Sequence, residues 1–160
     1  MSAPSAARLS VVKIVSGGQT GVDRAALDAA IALGITLGGW VPRNRRAEDG
    51  RVPDRYAVRE TASDAYDVRT RFNVRDSDAT LILTRGRPTG GTALTVAIAR
   101  ALGRPLHVLD LDGASDLHDV RAWLAHEEIR ILNVAGPRES SHPGIHDEAF
   151  ALLMTVLADG

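Results

Sequence analysis

Apolar residues fall in short unbroken runs along this chain, and most runs are followed by a stretch with helical spacing. The first run, "VVKIV" at 11–15, reads as a buried strand. Over 22–34, "VDRAALDAAIALG", apolar side chains recur at Val22, Ala25, Ala26, Ala29, Ala30 and Leu33, which predicts a helix with Gly34 as its stop. "ITLGGWVP" at 35–42 predicts a second strand closed by Pro42. Residues 43–56, "RNRRAEDGRVPDRY", have no period and many charges, which predicts a loop. A helix is expected over 63–77, capped by Ser63 or Asp64, and a third strand over 79–84. Then come a helix at 90–103 that ends at Gly103, a fourth strand at 105–111, a helix at 115–127 and a fifth strand at 129–136. The last helix spans 143–159, with Pro143 near its first turn.

Strands separated by helices predict an α/β fold: an open, doubly wound, mostly parallel five-stranded sheet with helices on both faces. The strand order expected is 2-1-3-4-5, which makes the first and third strands neighbours. Ligands of such sheets sit at the carboxyl edge, where the loops leaving two neighbouring strands diverge. No repeat or interdomain linker interrupts the pattern, so residues 11–160 read as one domain behind a loose tail at 1–10.

Composition narrows the function classes. At 44% hydrophobic residues the 160-residue chain is ordinary for a globular domain, and no run nears the ~20 apolar residues of a membrane span. The first ten residues lack the apolar segment of a secretory signal. There is no cysteine, which excludes disulfides and thiolate metal ligation and fits a reducing compartment, with the cytoplasm as the expected location. A net charge of −1 gives no global field toward nucleic acid or anionic lipid. Of the 19 basic residues only Lys13 is a lysine; arginine forks suit phosphate and carboxylate, although genome composition gives the same bias.

The candidate chemistry lies in two glycine-rich turns. The first strand stops at Ser16-Gly17-Gly18-Gln19-Thr20-Gly21, and the third is followed by "TRGRPTGGTAL" with Gly86, Gly90, Gly91 and Thr92. Glycine lets backbone approach a ligand closely, and each helix that follows presents unpaired N–H groups and a positive dipole end. Together they predict a site for an anion, most often a phosphate. Ser16, Thr20 and Thr92 add hydroxyls and Gln19 an amide. The P-loop lysine is missing, with Val22-Asp23 in its place, and the dinucleotide spacing fails.

Other residues join the candidate list. In 43–56, Arg43, Arg45, Arg46, Arg51 and Arg55 surround Glu48, Asp49 and Asp54, as in a clamp over an anion or a solvated charged loop. Arg138 and Glu139 follow the fifth strand and face the crevice or a second subunit. Asp23 and Arg24 open the first helix, where Asp23 suits the dipole or a ligand. His142 and His146 have metal-ligand spacing, but Pro143-Gly144 intervenes and no third ligand is evident, so no metal site is predicted. His107 reads as a core or subunit-contact residue, and Trp40 as core packing or a stacking surface for a heterocycle.

"SGGQTGVDRAALDAA", "GWVPRNRRAEDGRVPDRY", "DATLILTRGRPTGGT" and "LNVAGPRESSHPGIH", in that order, resemble the molybdenum carrier family. That family sits within the Rossmann-like nucleotide binders that include the lonely-guy (LOG) phosphoribohydrolases and DprA-type proteins. The resemblance implies a five-stranded Rossmann-like core, a homo-oligomer, and a ligand in the crevice: the molybdenum cofactor, a pterin with one phosphate, or a nucleotide. The hydrolase relatives carry a glutamate in their P-G-G-x-G-T-x-x-E loop. Here Thr89-Gly90-Gly91-Thr92-Ala93-Leu94-Thr95 has no acid, which favours a carrier over a nucleotide-processing enzyme. A hydrolase would need another carboxylate, with Asp23, Glu48 and Glu139 as candidates; a nucleotide-sensing scaffold is the third expectation.

Overall fold

The computed structural model describes residues 9–113 and 117–158. The tail expected at 1–10 lies outside them except for Leu9 and Ser10, as do the first two residues of the helix expected at 115–127. Five strands form the central sheet: β1 (Lys13–Val15), β2 (Thr36–Gly38), β3 (Ala79–Thr84), β4 (Leu106–Asp110) and β5 (Ile131–Ala135). The helices are α1 (Val22–Leu33), α2 (Tyr66–Arg75), α3 (Gly90–Ala101), α4 (Leu117–His126) and α5 (Ile145–Leu157). Every pairing in this sheet is parallel.

The strand order is β2-β1-β5-β3-β4, which corrects the expected 2-1-3-4-5. β1 and β3 are not neighbours: β5 lies between them, with Val15 opposite Asn133 on one side and Leu81 opposite Val134 on the other. Burial explains the placement. β3 is buried at all six positions and β5 at Leu132, Asn133 and Val134, as central strands must be. β4 leaves Val108 39% exposed and takes the edge. Counted from β5, the order reads 3-2-1-4-5, the common doubly wound arrangement.

Helix α1 packs on α5, and α4 also meets α5, while α2 and α3 pack together. The alanines at 25, 26, 29 and 30 give α1 a small-residue face in the main core beside Ile14, Leu132, Val134 and Leu153. A smaller cluster of Val74, Ile98 and Ala99 joins α2 to α3.

The second predicted strand is broken. Thr36–Gly38 pairs with β1, and Trp40–Val41 pairs in parallel with Arg59–Glu60. Gly39 between them has φ +120°, and a Cβ there would lie 2.4 Å from the Ser16 carbonyl oxygen. The segment expected as an unstructured loop, 43–56, is ordered. A 3-10 turn at Arg43–Arg45 leads into an antiparallel hairpin, Arg46–Ala47 against Gly50–Arg51. Ala47, Val52 and Tyr56 bury themselves against Leu27 and Val41 in a core of their own. A charge-based reading missed this because those apolar residues are spaced too widely to show a period.

Candidate functional site

A cleft of about 590 Å³ opens at the carboxyl edge of β1, β5 and β3. Gly17, Gln19 and Asp23 line one wall, Gly90, Gly91 and Thr92 another, and Arg138 stands on the turn after β5. Both predicted glycine turns therefore border one space, with the β5 turn between them. Tyr66, Arg69 and Asn133, which the sequence pattern did not single out, also face it.

The two turns are built differently. At α3, the N-cap Thr89 makes no side-chain hydrogen bond, and a Cβ on Gly90 or Gly91 would meet nothing within 4 Å. Thr92 N–H and Ala93 N–H turn back to the Thr89 carbonyl at 3.1 and 3.2 Å, so the amides left for a ligand at this end are those of Gly90 and Gly91. At α1, the amides are used within the protein. Gly18 N–H donates to Ser16 Oγ at 3.3 Å, Gln19 N–H to Asp23 Oδ2 at 3.2 Å and Thr20 N–H to Gln19 Oε1 at 3.1 Å. Val22 N–H donates to the Pro137 carbonyl at 3.2 Å. Gly21, at φ +79°, leaves no room for a Cβ, which would lie 2.4 Å from that carbonyl oxygen.

Several residues expected to contact a ligand have partners within the scaffold. Arg45 donates to the carbonyls of Val52, Pro53 and Tyr56 at 2.7–2.9 Å, closing its own loop. Arg24 donates to the Gly18 carbonyl at 3.1 Å and forms an ion pair with Asp49. Ser16 Oγ donates to the Asp23 carbonyl at 2.9 Å. Glu139 accepts from Gly144 N–H at 2.6 Å and His146 N–H at 3.0 Å, so it caps α5. Glu48, at the hairpin tip, accepts from Thr20 Oγ1, Ser140 Oγ and Ser140 N–H, tying the hairpin to the turns after β1 and β5. These hydrogen bonds outweigh partial burial and hold its carboxyl below the ordinary range. Arg46 lies beside the cleft against Tyr66, with its guanidinium carbon 4.5 Å from the ring centroid.

Arg69 lies across Gly17. A Cβ on Gly17 would sit 2.5 Å from Arg69 Nε, so only glycine leaves room for the guanidinium there. Nη1 donates to the Tyr66 carbonyl at 3.0 Å and to the Thr70 hydroxyl, while Nε is buried with no partner. Next to it, Asp23 is only 5% exposed. Burial pushes its carboxyl up from 3.8 to about 6, against the pull of Arg69, the Gln19 amide and Arg24. A carboxyl in that range exchanges protons near neutral pH.

The remaining candidates lie off the cleft wall or have other partners. Trp40 packs edge-on against Phe72 at 5.4 Å and donates Nε1–H to Asp76 at 2.8 Å. His107 packs at a tilt against Trp123, with ring centroids 5.2 Å apart. His142 lines the cleft, whereas His146 bonds Asp28 at 2.7 Å and Asp147 at 2.9 Å. No group of three His, Asp or Glu side chains placed to hold a metal ion occurs among the described residues.

The fold is a Rossmann-like α/β domain, with its candidate site at the point where strand order reverses. The chain belongs to the circularly permutated YpsA SLOG family, which matches residues 14–157. In this sheet β5, the last strand in sequence, takes the place of the first in the doubly wound order. A crystal structure of "Putative molybdenum carrier protein" from Syntrophus aciditrophicus SB is similar, with 44% identity over 94% of this chain and 97% of that one and a TM-score of 0.90. No curated protein matches the chain.

Proposed function

We propose that this protein binds and carries a phosphate-bearing heterocycle in the cleft between the turns after β1, β5 and β3. The observation that carries this reading is the pairing of the uncapped α3 terminus at Gly90–Gly91 with the Arg69 guanidinium on one cleft. Backbone amides and a helix dipole favour phosphate at α3, and Arg69 supplies a second donor set. The volume suits a mononucleotide or a phosphorylated pterin.

The name of the similar Syntrophus protein points to molybdenum cargo. In that case the pterin phosphate sits at Gly90–Gly91. Native mass spectrometry of freshly purified protein tests the reading: a retained phosphorylated small molecule supports it, and a bare chain that also fails to bind AMP or molybdopterin in titration contradicts it.

Asp23 favours a second reading, cleavage of a phosphoriboside. A buried carboxyl that titrates near pH 6 inside the cleft is suited to general acid–base work. Release of free base from nucleoside monophosphates, lost in Asp23→Asn, would support it; ligand recovered intact would favour the carrier.

A further inference from the structure

Three arginines from three elements surround one tyrosine at the mouth of the cleft. The guanidinium carbons of Arg46 on the hairpin, Arg69 on α2 and Arg138 after β5 lie 4.5, 5.3 and 6.0 Å from the Tyr66 ring centroid. Their charges are poorly matched. Arg46 donates to a neutral acceptor, the Asp64 carbonyl, at 3.1 Å. Arg69 has the Tyr66 carbonyl and the Thr70 hydroxyl, with Nε left over in a buried position. Arg138 has Glu48 at 3.9 Å, but that carboxylate is already engaged by Thr20 and Ser140. The charges of Asp23 and Asp67 do act on Arg69, and that of Arg138 opposes them.

Three like charges gathered on one ring repel one another, and the ring face offsets only part of that cost. The Arg138 charge acts against that of Arg69 in this way. An anion that bridges the three would relieve the repulsion and fill the unused donors. Arg69 and Arg138 line the same cleft as Gly90 and Gly91, and Arg46 joins them through the Tyr66 ring beside it.

We infer that the cleft selects a ligand with two linked phosphoryl groups, one at the start of α3 and one within the Arg46–Arg69–Arg138 triad, as in a nucleoside diphosphate or a pyrophosphate-linked nucleotide. The inference rests on the cleft reading above and narrows it from one phosphate to two.

Calorimetric titration with inorganic phosphate and pyrophosphate, then with AMP and ADP, tests it at fixed ionic strength without divalent cations. Wild type is compared with Arg46→Ala and Arg138→Ala, and with Arg71→Ala as a control that removes one exposed charge of α2. Thermal melts establish that each variant is folded. The expected result is that the two-phosphoryl member of each pair binds at least about tenfold more tightly. That advantage shrinks several-fold in both triad variants and persists in Arg71→Ala. Saturable phosphate or AMP binding with no pyrophosphate or ADP advantage overturns the inference and leaves the cleft reading standing. An advantage that survives both triad variants overturns the arginine assignment. No saturable binding of any probe overturns both readings.

Discussion

Asp23 and Arg69 show what residue types alone conceal. Asp23 was readable as an acid at a helix start, but its burial was not, and burial changes its chemistry. Its folded pKa of about 6 lies above the ordinary 3.8, so the native state holds more protons than the unfolded chain between those values. Its contribution to stability therefore falls as pH rises through that window, and the cost of ionisation is fully present above it. Asp23→Asn removes that cost while keeping an oxygen for the Gln19 amide. Relative to wild type, the variant should gain up to about 3 kcal/mol between about pH 4 and about pH 7.5 in urea unfolding. Arg69 was hidden more completely, since nothing in an arginine on a charged helix says which way it faces. Gly17 was legible as a glycine but not as the floor on which Arg69 rests. Gly17→Ala should push the guanidinium aside and weaken AMP binding by about tenfold or more, with little loss of stability, and Arg69→Ala should match it. Equal affinity in both variants would remove Arg69 from the site.

At the scale of elements, the hairpin at 46–51 is a brace more than a lid. Its apolar underside packs on Leu27 and Val41, Arg24 pairs with Asp49, and Glu48 holds the turns after β1 and β5 together. Unbroken apolar runs and helical spacing located the core strands and helices of the described residues to within a few residues, apart from the second strand, which breaks at Gly39. The hairpin escaped because its order comes from scattered contacts and from one buried arginine, Arg45. The hydrogen bonds to Glu48 give a direct prediction. Glu48→Ala should cost about 1–2 kcal/mol of unfolding free energy at neutral pH. The Glu48 carboxyl is held below its usual 4.5, so its contribution is present above that value and disappears as pH falls through the lowered pKa. Wild type should therefore lose its advantage over the variant in acid, and a pH-independent difference would contradict the latch.

The whole molecule is a doubly wound sheet in which the last strand in sequence lies at the centre. Alternating strands and helices gave the class, yet the order 2-1-5-3-4 could not be read, because nothing local in "IRILNVAG" says that it lies between β1 and β3. Its burial on both faces is a tertiary fact. Leu9 and Leu157 line the same small pocket, so the two ends of the described chain are close. A variant that joins them through a short linker and opens the chain at Glu127–Glu128 should keep its far-UV spectrum and its cooperative melt. Such a chain would begin with β5 and read 3-2-1-4-5. The central claim, that the carboxyl-edge cleft holds phosphate at α3, is tested most directly by amide NMR during titration with AMP. Saturable shifts concentrated at Gly90, Gly91 and Thr92, with the Arg69 side-chain Nε–H moving alongside them, are the predicted result. Shifts confined to other surfaces, or none at saturating AMP and inorganic phosphate, would contradict it.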